Sequence, residues 1–130
     1  MKIKHIGIAV DSIKERLPVW ESFGLKLHHT EKVDSEGVTT AHLKVGGYEI
    51  ELLEPMGEDT PVGKFIDKKG PGIHHLALEV DNIEESLAKA KKNGLEPIGE
   101  APRQGAENTL VAFFHPKYTG GVLLEIVQNK

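Results

Sequence analysis

An internal repeat is the feature that most constrains the fold of this 130-residue chain. Shifting the sequence by 70 positions aligns residues 5–25 with residues 75–95, and eight of the 21 aligned pairs are identical. Unrelated segments would share about one identity, because each residue type makes up only several per cent of an average protein. The identical residues of the first copy are His5, Val10, Asp11, Ile13, Glu15, Leu17, Gly24 and Leu25. The chain is therefore predicted to build one structural unit twice.

The second part of each copy matches at a slightly larger offset of 74 residues. The glycine pair at 46–47 aligns with the pair at 120–121, and Glu51 aligns with Glu125. The second copy therefore contains four extra residues, which we place in the polar loop around 103–108.

Each copy has the pattern of a strand, a helix and three further strands. Residues 3–10 alternate in polarity, which is typical of a strand. Ser12 followed by Glu15 predicts a capped helix start, and Asn82 with Glu85 repeats that signal. The remaining strands are predicted near 26–33, 38–45, 48–54, 96–100, 109–115 and 121–127.

These elements predict an α+β fold of two tandem βαβββ modules that form a curved, mostly antiparallel sheet around a metal site. One domain is expected over residues 1–130, with module one at about 1–55, a connector at 56–71 and module two at about 72–130. The connector is expected to contain one or two helical turns. Pro18 is expected to kink or shorten the first helix.

Composition excludes several kinds of site and partner. The chain has no cysteine, so disulfides, thiolate metal sites and cysteine nucleophiles are excluded. Its net charge of −4 argues against nucleic-acid binding, which requires a basic face. No apolar stretch approaches the roughly 18 residues of a membrane span, and no secretory signal is evident. We therefore expect a soluble, cytoplasmic protein.

A histidine and a glutamate occupy equivalent places in each copy. Side chains alternate along a strand, so His5 and His75 each share a strand face with a very small residue two positions later. Glu51 and Glu125 each stand between large apolar neighbours, where an unpartnered carboxylate would be costly to bury. Two facing modules would combine two imidazoles with two carboxylates, a donor set that suits Mn, Fe, Co, Ni or Zn. We predict one divalent ion bound by these four residues. His74 is out of register and is not included.

Four segments of the chain carry a family resemblance. They are His5-Ile-Gly-Ile-Ala-Val, Glu51-Leu-Leu-Glu-Pro, Gly72-Ile-His-His75-Leu-Ala-Leu-Glu-Val-Asp, and Phe114-His-Pro-Lys117 with the later Gly-Gly-Val-Leu-Leu-Glu125. Together they resemble the vicinal oxygen chelate superfamily, and the last two are similar to methylmalonyl-CoA epimerases in particular. The likeness covers nearly the whole chain.

The resemblance implies an enzyme that interconverts the 2R and 2S epimers of methylmalonyl-CoA. The family's metal ligands fall on His5, Glu51, His75 and Glu125, and cobalt is often the effective metal. The implied substrate is a coenzyme A thioester, whose α-proton is removed to form an enolate that the metal stabilises. Glu125 is expected to act as one base as well as a ligand.

The second base is not indicated by the family pattern. Some relatives carry a glutamate on the strand after a Gly-Val pair, whereas Gly37-Val38 is followed here by threonines. His42 is our candidate for the second base, because its strand parity places it on the inward face. Glu49 and a water molecule on the metal are the alternatives.

The anionic coenzyme A tail is expected to need local positive charge. His115 and Lys117 are the preferred contacts, because they belong to the Phe-His-Pro-Lys segment. The other candidates are Lys64, Lys68, Lys69 and Arg103.

Three other functions are also compatible with the sequence. A glyoxalase I uses the same fold and similar ligands. An extradiol dioxygenase needs only two histidines and one carboxylate, and a metal-free binding module needs none of them.

An exposed sheet edge on each module leads us to expect a homodimer.

Overall fold

The computed structural model describes residues 1–130 and divides into two compact units, residues 5–74 and residues 1–4 with 75–130. The elements of the first half are β1 (Lys2–Ala9), α1 (Ile13–Glu21), β2 (Lys26–Val33), β3 (Val38–Val45), β4 (Tyr48–Pro55) and α2 (Pro61–Lys69). Those of the second half are β5 (Gly72–Glu79), α3 (Ile83–Lys92), β6 (Arg103–Gln104), β7 (Thr109–Phe114) and β8 (Leu123–Asn129). Short 3₁₀ turns follow β2 and β7.

Both halves use the same strand order. In module one the order is β2-β3-β4-β1, and in module two it is β6-β7-β8-β5. The last strand of each module pairs in parallel with its first strand, whereas the other pairs within the module are antiparallel. The predicted α+β class and the two βαβββ modules are therefore confirmed.

One predicted strand was wrong. Residues 96–100 form no strand, and this part of the chain contributes a single bridge from Pro97 to Phe114. Proline has no amide hydrogen for a continuous ladder. The edge strand of module two is instead the two-residue β6, which lies in the segment that we had assigned to a loop.

The helix starts follow the repeat closely. Ser12 and Asn82 cap α1 and α3 by accepting hydrogen bonds from the amides of Glu15 and Glu85, at 3.2 and 3.1 Å. Both capping predictions are confirmed. The first helix continues through Pro18 and ends one residue shorter than its copy, at nine residues against ten.

A second link ties each helix to the last strand of its own module. The amide of Ile13 donates to the carboxylate of Glu54 at 2.7 Å, and the amide of Ile83 donates to the side-chain oxygen of Gln128 at 2.8 Å. Glu54 and Gln128 are separated by the repeat offset of 74. Each also lies three residues after the glutamate that we predicted as a metal ligand, so the link places the helix relative to that strand.

The apolar core lies on both faces of each sheet. In module one, α1 covers the face that carries Val10 and Leu52, whereas α2 covers one end of the opposite face near Ala9 and Leu53. In module two, α3 covers the face that carries Val80, Ala112, Phe114 and Ile126. None of the helices has the length and apolar character needed to cross a membrane.

Candidate metal centre

The first His–Glu pair lies on the face of the module-one sheet opposite α1. The side chains of His5 and Glu51 are buried, and His5 Nε2 lies 3.7 Å from Glu51 Oε2. The residue directly beside Glu51 on β1 is Gly7. Because glycine has no side chain, it leaves space beside the carboxylate where a larger residue would stand.

The second pair reproduces this arrangement in module two. His75 Nε2 lies 3.1 Å from Glu125 Oε1, and both side chains are buried. The residue beside Glu125 on β5 is the small Ala77. The strand parity derived from the sequence therefore brings a histidine and a carboxylate together in each module.

The donor atoms of each pair suit a divalent metal ion. All four residues are only 4–8% exposed, so each pair carries a carboxylate that would be costly to bury without compensation. Two ligand atoms about 2.1 Å from one ion lie about 3.0 Å apart at a right angle and about 3.4 Å apart in a tetrahedron. The measured separations of 3.1 and 3.7 Å are close to these values. Imidazole and carboxylate donors of this kind suit first-row transition metals.

His42 lies beside the first pair. It is directly opposite Glu51 in the β3–β4 ladder, and its Nδ1 lies 3.6 Å from Glu51 Oε2. Its Nε2 is 2.9 Å from the hydroxyl of Thr40, and the side chain is buried. His42 therefore faces inward, as its strand parity predicted, and it contacts a predicted metal ligand.

A further histidine, which sequence reasoning missed, stacks on His42. A bulge in β2 turns His29 so that its ring lies parallel to that of His42, with centroids 4.2 Å apart. The two rings and the carboxylate of Glu31 form a second group of possible metal donors within module one. The in-plane lone pairs of parallel rings point side by side rather than at one ion, so this group fits a metal less well than the His–Glu pairs do.

The two predicted coenzyme A contacts lie at a turn on the surface. His115 Nδ1 accepts the amide hydrogen of Lys117 at 2.9 Å and so caps the 3₁₀ turn Pro116–Tyr118. Lys117 is exposed, and its ammonium group lies 5.3 Å from the ring of Tyr118. His115 thus has a local structural role, while Lys117 remains accessible to an anion.

His74, which was not included among the ligands, is placed away from the pairs. Its ring packs edge-on against Phe65 of α2 at 4.9 Å. This contact agrees with its position one residue out of register.

Comparison with known proteins gives the family. The model of the Glyoxalase/Bleomycin resistance protein/Dioxygenase superfamily matches residues 4–113. The chain is 38% identical to the uncharacterized protein YqjC of Bacillus subtilis, over 99% of this chain and 93% of that protein. It is 33% identical to human mitochondrial methylmalonyl-CoA epimerase, over 98% of this chain and 73% of that protein.

Solved structures show the same relationship. The hypothetical protein BH1468 of Bacillus halodurans superposes with a TM-score of 0.96 at 48% identity, over 99% of this chain and 94% of that one. A methylmalonyl-CoA epimerase in complex with methylmalonyl-CoA superposes with a TM-score of 0.93 at 33% identity, over 98% of this chain and 94% of that one. The chain belongs to the Glyoxalase/Bleomycin resistance protein/Dioxygenase superfamily, and within it to the family of the methylmalonyl-CoA epimerases.

Proposed function

We propose that this protein is a metal-dependent epimerase that interconverts (2R)- and (2S)-methylmalonyl-CoA. The observation that carries the proposal is the buried His–Glu pair that recurs at equivalent places in both modules. Two methylmalonyl-CoA epimerases that each match 98% of this chain, one of them solved with methylmalonyl-CoA, support the substrate.

One divalent ion, with cobalt the leading candidate and Mn, Ni, Zn and Fe as others, is proposed to be held by both pairs. His5 and Glu51 would supply two ligands and His75 and Glu125 the other two. When bound, the ion would supply Lewis-acid stabilisation for negative charge on the oxygens of the substrate.

Two inward-facing bases can account for inversion at the α-carbon. The proton that is removed is acidic because it lies between a thioester carbonyl and a carboxylate. Inversion requires proton removal on one face of the carbon and delivery on the other. We assign one face to the carboxylate of Glu125 and the other to the imidazole of His42. The burial of both side chains limits access of bulk water to the transferred proton.

The rest of the substrate and the assembly are also proposals. Lys117, with His115 holding its turn, is proposed to contact the phosphates of coenzyme A. Strand β2 ends the sheet of module one and offers an unpaired edge, which supports a homodimer. Light scattering should then give twice the chain mass of 14.3 kDa. A cytoplasmic location stays a prediction.

The activity is tested by solvent exchange. The metal-stripped protein would be incubated with (2R)-methylmalonyl-CoA in deuterated water, with and without cobalt, and followed by NMR and chiral analysis. We expect cobalt-dependent incorporation of deuterium at the α-carbon together with formation of the 2S epimer, and both should be lost in His75→Ala.

Absence of exchange with every metal would contradict the epimerase assignment. The hemithioacetal of methylglyoxal and glutathione would then be offered as the glyoxalase substrate, followed by a catechol with iron and oxygen. Exchange that does not need a metal would contradict the metal dependence alone.

A further inference from the structure

A half-buried arginine lies on the same sheet face as the second His–Glu pair. Arg103 of β6 is directly opposite Val111 of β7, and Val111 is directly opposite Val127 of β8. Directly opposed residues share a face of a sheet, so the face that carries Glu125 also carries Arg103. Its Nε atom is buried, whereas the other arginine of the chain, Arg16, lies in an exposed ion pair.

An aromatic ring connects this arginine to the predicted metal ligands. The guanidinium carbon of Arg103 lies 5.2 Å from the ring centre of Phe113, within the range of a cation–π contact. Phe113 is directly opposite Glu125 in the ladder, and its ring makes a T-shaped contact with the ring of His75, with centroids 6.0 Å apart. The charged group is therefore held on the ring that flanks the His75–Glu125 pair.

We propose that Arg103 binds the free carboxylate of the acyl group of the substrate, an inference that rests on the proposed function. The substrate brings this carboxylate next to the reacting carbon, into a site that already holds buried glutamates. A guanidinium binds a carboxylate through two parallel hydrogen bonds and cannot lose its charge, so it offsets the repulsion and selects acyl groups that bear a carboxylate. Arg103 is thus a specificity residue for the acyl group, rather than one of the contacts to the coenzyme A tail.

Binding of two thioesters that have no stereocentre at the α-carbon, and so undergo no net epimerisation, tests this role. Malonyl-CoA carries the carboxylate and propionyl-CoA lacks it, while the coenzyme A portion is identical. By calorimetry on the cobalt-loaded protein, Arg103→Gln should weaken malonyl-CoA binding about ten- to hundred-fold, the usual effect of losing a charge-assisted pair. Propionyl-CoA binding should change by less than about two-fold. Arg16→Gln is the matched control and should change neither affinity.

The proposal would be overturned if Arg103→Gln weakened the binding of both thioesters equally, or weakened the binding of neither. If Arg103→Gln does not fold, Arg103→Lys is used for the same measurement. This variant keeps the positive charge and most of the aliphatic side chain but loses the planar guanidinium group. The proposal requires that Arg103→Lys weaken the binding of malonyl-CoA several-fold more than the binding of propionyl-CoA. Solvent exchange by the wild-type protein tests the epimerase activity separately. If that exchange occurs but the Arg103 variants do not discriminate between the two thioesters, only this inference is contradicted.

Discussion

At the scale of single residues, the two modules keep the same His–Glu pair but differ in the residue beside it. The neighbour of Glu51 on the adjacent antiparallel strand is His42, whereas the neighbour of Glu125 is Phe113. A polar, proton-accepting side chain thus flanks one carboxylate, and an aromatic ring flanks the other. This difference is the structural reason for assigning the second base to module one.

Replacement of His42 should separate proton removal from inversion. His42→Gln should lower racemisation by at least about a hundred-fold, because general-base catalysis typically contributes about that much or more. Deuterium exchange should persist for the one epimer whose proton faces Glu125. Chiral analysis of each epimer in deuterated water measures both rates. His74→Gln, a change at the histidine that packs on Phe65 outside both pairs, is the control and should change neither rate. Equal loss of exchange from both epimers would contradict this division of roles.

The pair of Asp11 and Arg16 gives a prediction for pH. Both nitrogens of the Arg16 fork donate to Asp11 at 2.9 Å, and these hydrogen bonds lower the pKa of Asp11 from 3.8 to about 2. A depressed pKa stabilises the folded state above pH 3.8, and this contribution is lost as the pH falls toward 2. The melting temperature of Asp11→Asn should lie at most a few degrees below wild type at pH 7, because exposed pairs contribute little.

Melting curves from pH 7 to pH 2 test the direction of that effect. The difference between wild type and Asp11→Asn should stay constant down to about pH 4 and shrink below it. A difference that grows on acidification would show that Asp11 is not stabilised as a carboxylate.

At the scale of elements, the side-chain links between helix and strand repeat as faithfully as the predicted ligands do. Gln128 accepts the first amide hydrogen of α3, and Glu54 accepts that of α1. Gln128→Ala should lower the free energy of unfolding by about 1 kcal/mol, the usual net value of such a hydrogen bond. Gln128→Glu should lose much less, because module one uses a glutamate at this position and a negative charge suits a helix start.

Urea denaturation of the three proteins measures these free energies. Equal losses in Gln128→Ala and Gln128→Glu would mean that the shared acceptor is not what stabilises the helix start. A larger loss in the alanine variant alone would support the link.

At the scale of the whole molecule, metal stoichiometry tests whether the two pairs act as one site. One shared site predicts about one cobalt per chain after dialysis, by elemental analysis. His5→Ala and His75→Ala should each lose nearly all of it, because each would remove one of four ligands. Cobalt should also raise the melting temperature of wild type but of neither variant, since a ligand stabilises only the state that binds it.

Two independent pairs would give a different result. Each single variant would then retain close to one ion, which contradicts the shared site. His74→Gln serves again as the control, because it changes a histidine outside both pairs.

The sequence alone determined the elements and their repeat. Local signals decided these features, because strand parity, capping residues and a repeated pattern act over a few residues. They predicted the inward direction of His5, Glu51, His75, Glu125 and His42, and the two capped helices. The distance between the histidine and the glutamate of each pair, in contrast, followed only from the strand pairing.

Other features depend on contacts between residues distant in sequence, and only the tertiary structure decided them. The predicted strand at 96–100 is replaced by β6, because Pro97 cannot continue a ladder. The ladders also correct the placement of the four extra residues of module two: Glu51 and Glu125 are 74 positions apart, but their partners His42 and Phe113 are 71 apart. Three of the four therefore lie in the connection between β7 and β8 rather than at 103–108. A bulge in β2 decided that His29 stacks on His42. The pairing of β6 with β7 placed Arg103 over Phe113, which no local pattern indicates. Register across strands is set by the whole sheet, and for this reason the neighbours of the candidate site, unlike its residues, could not be predicted from the sequence.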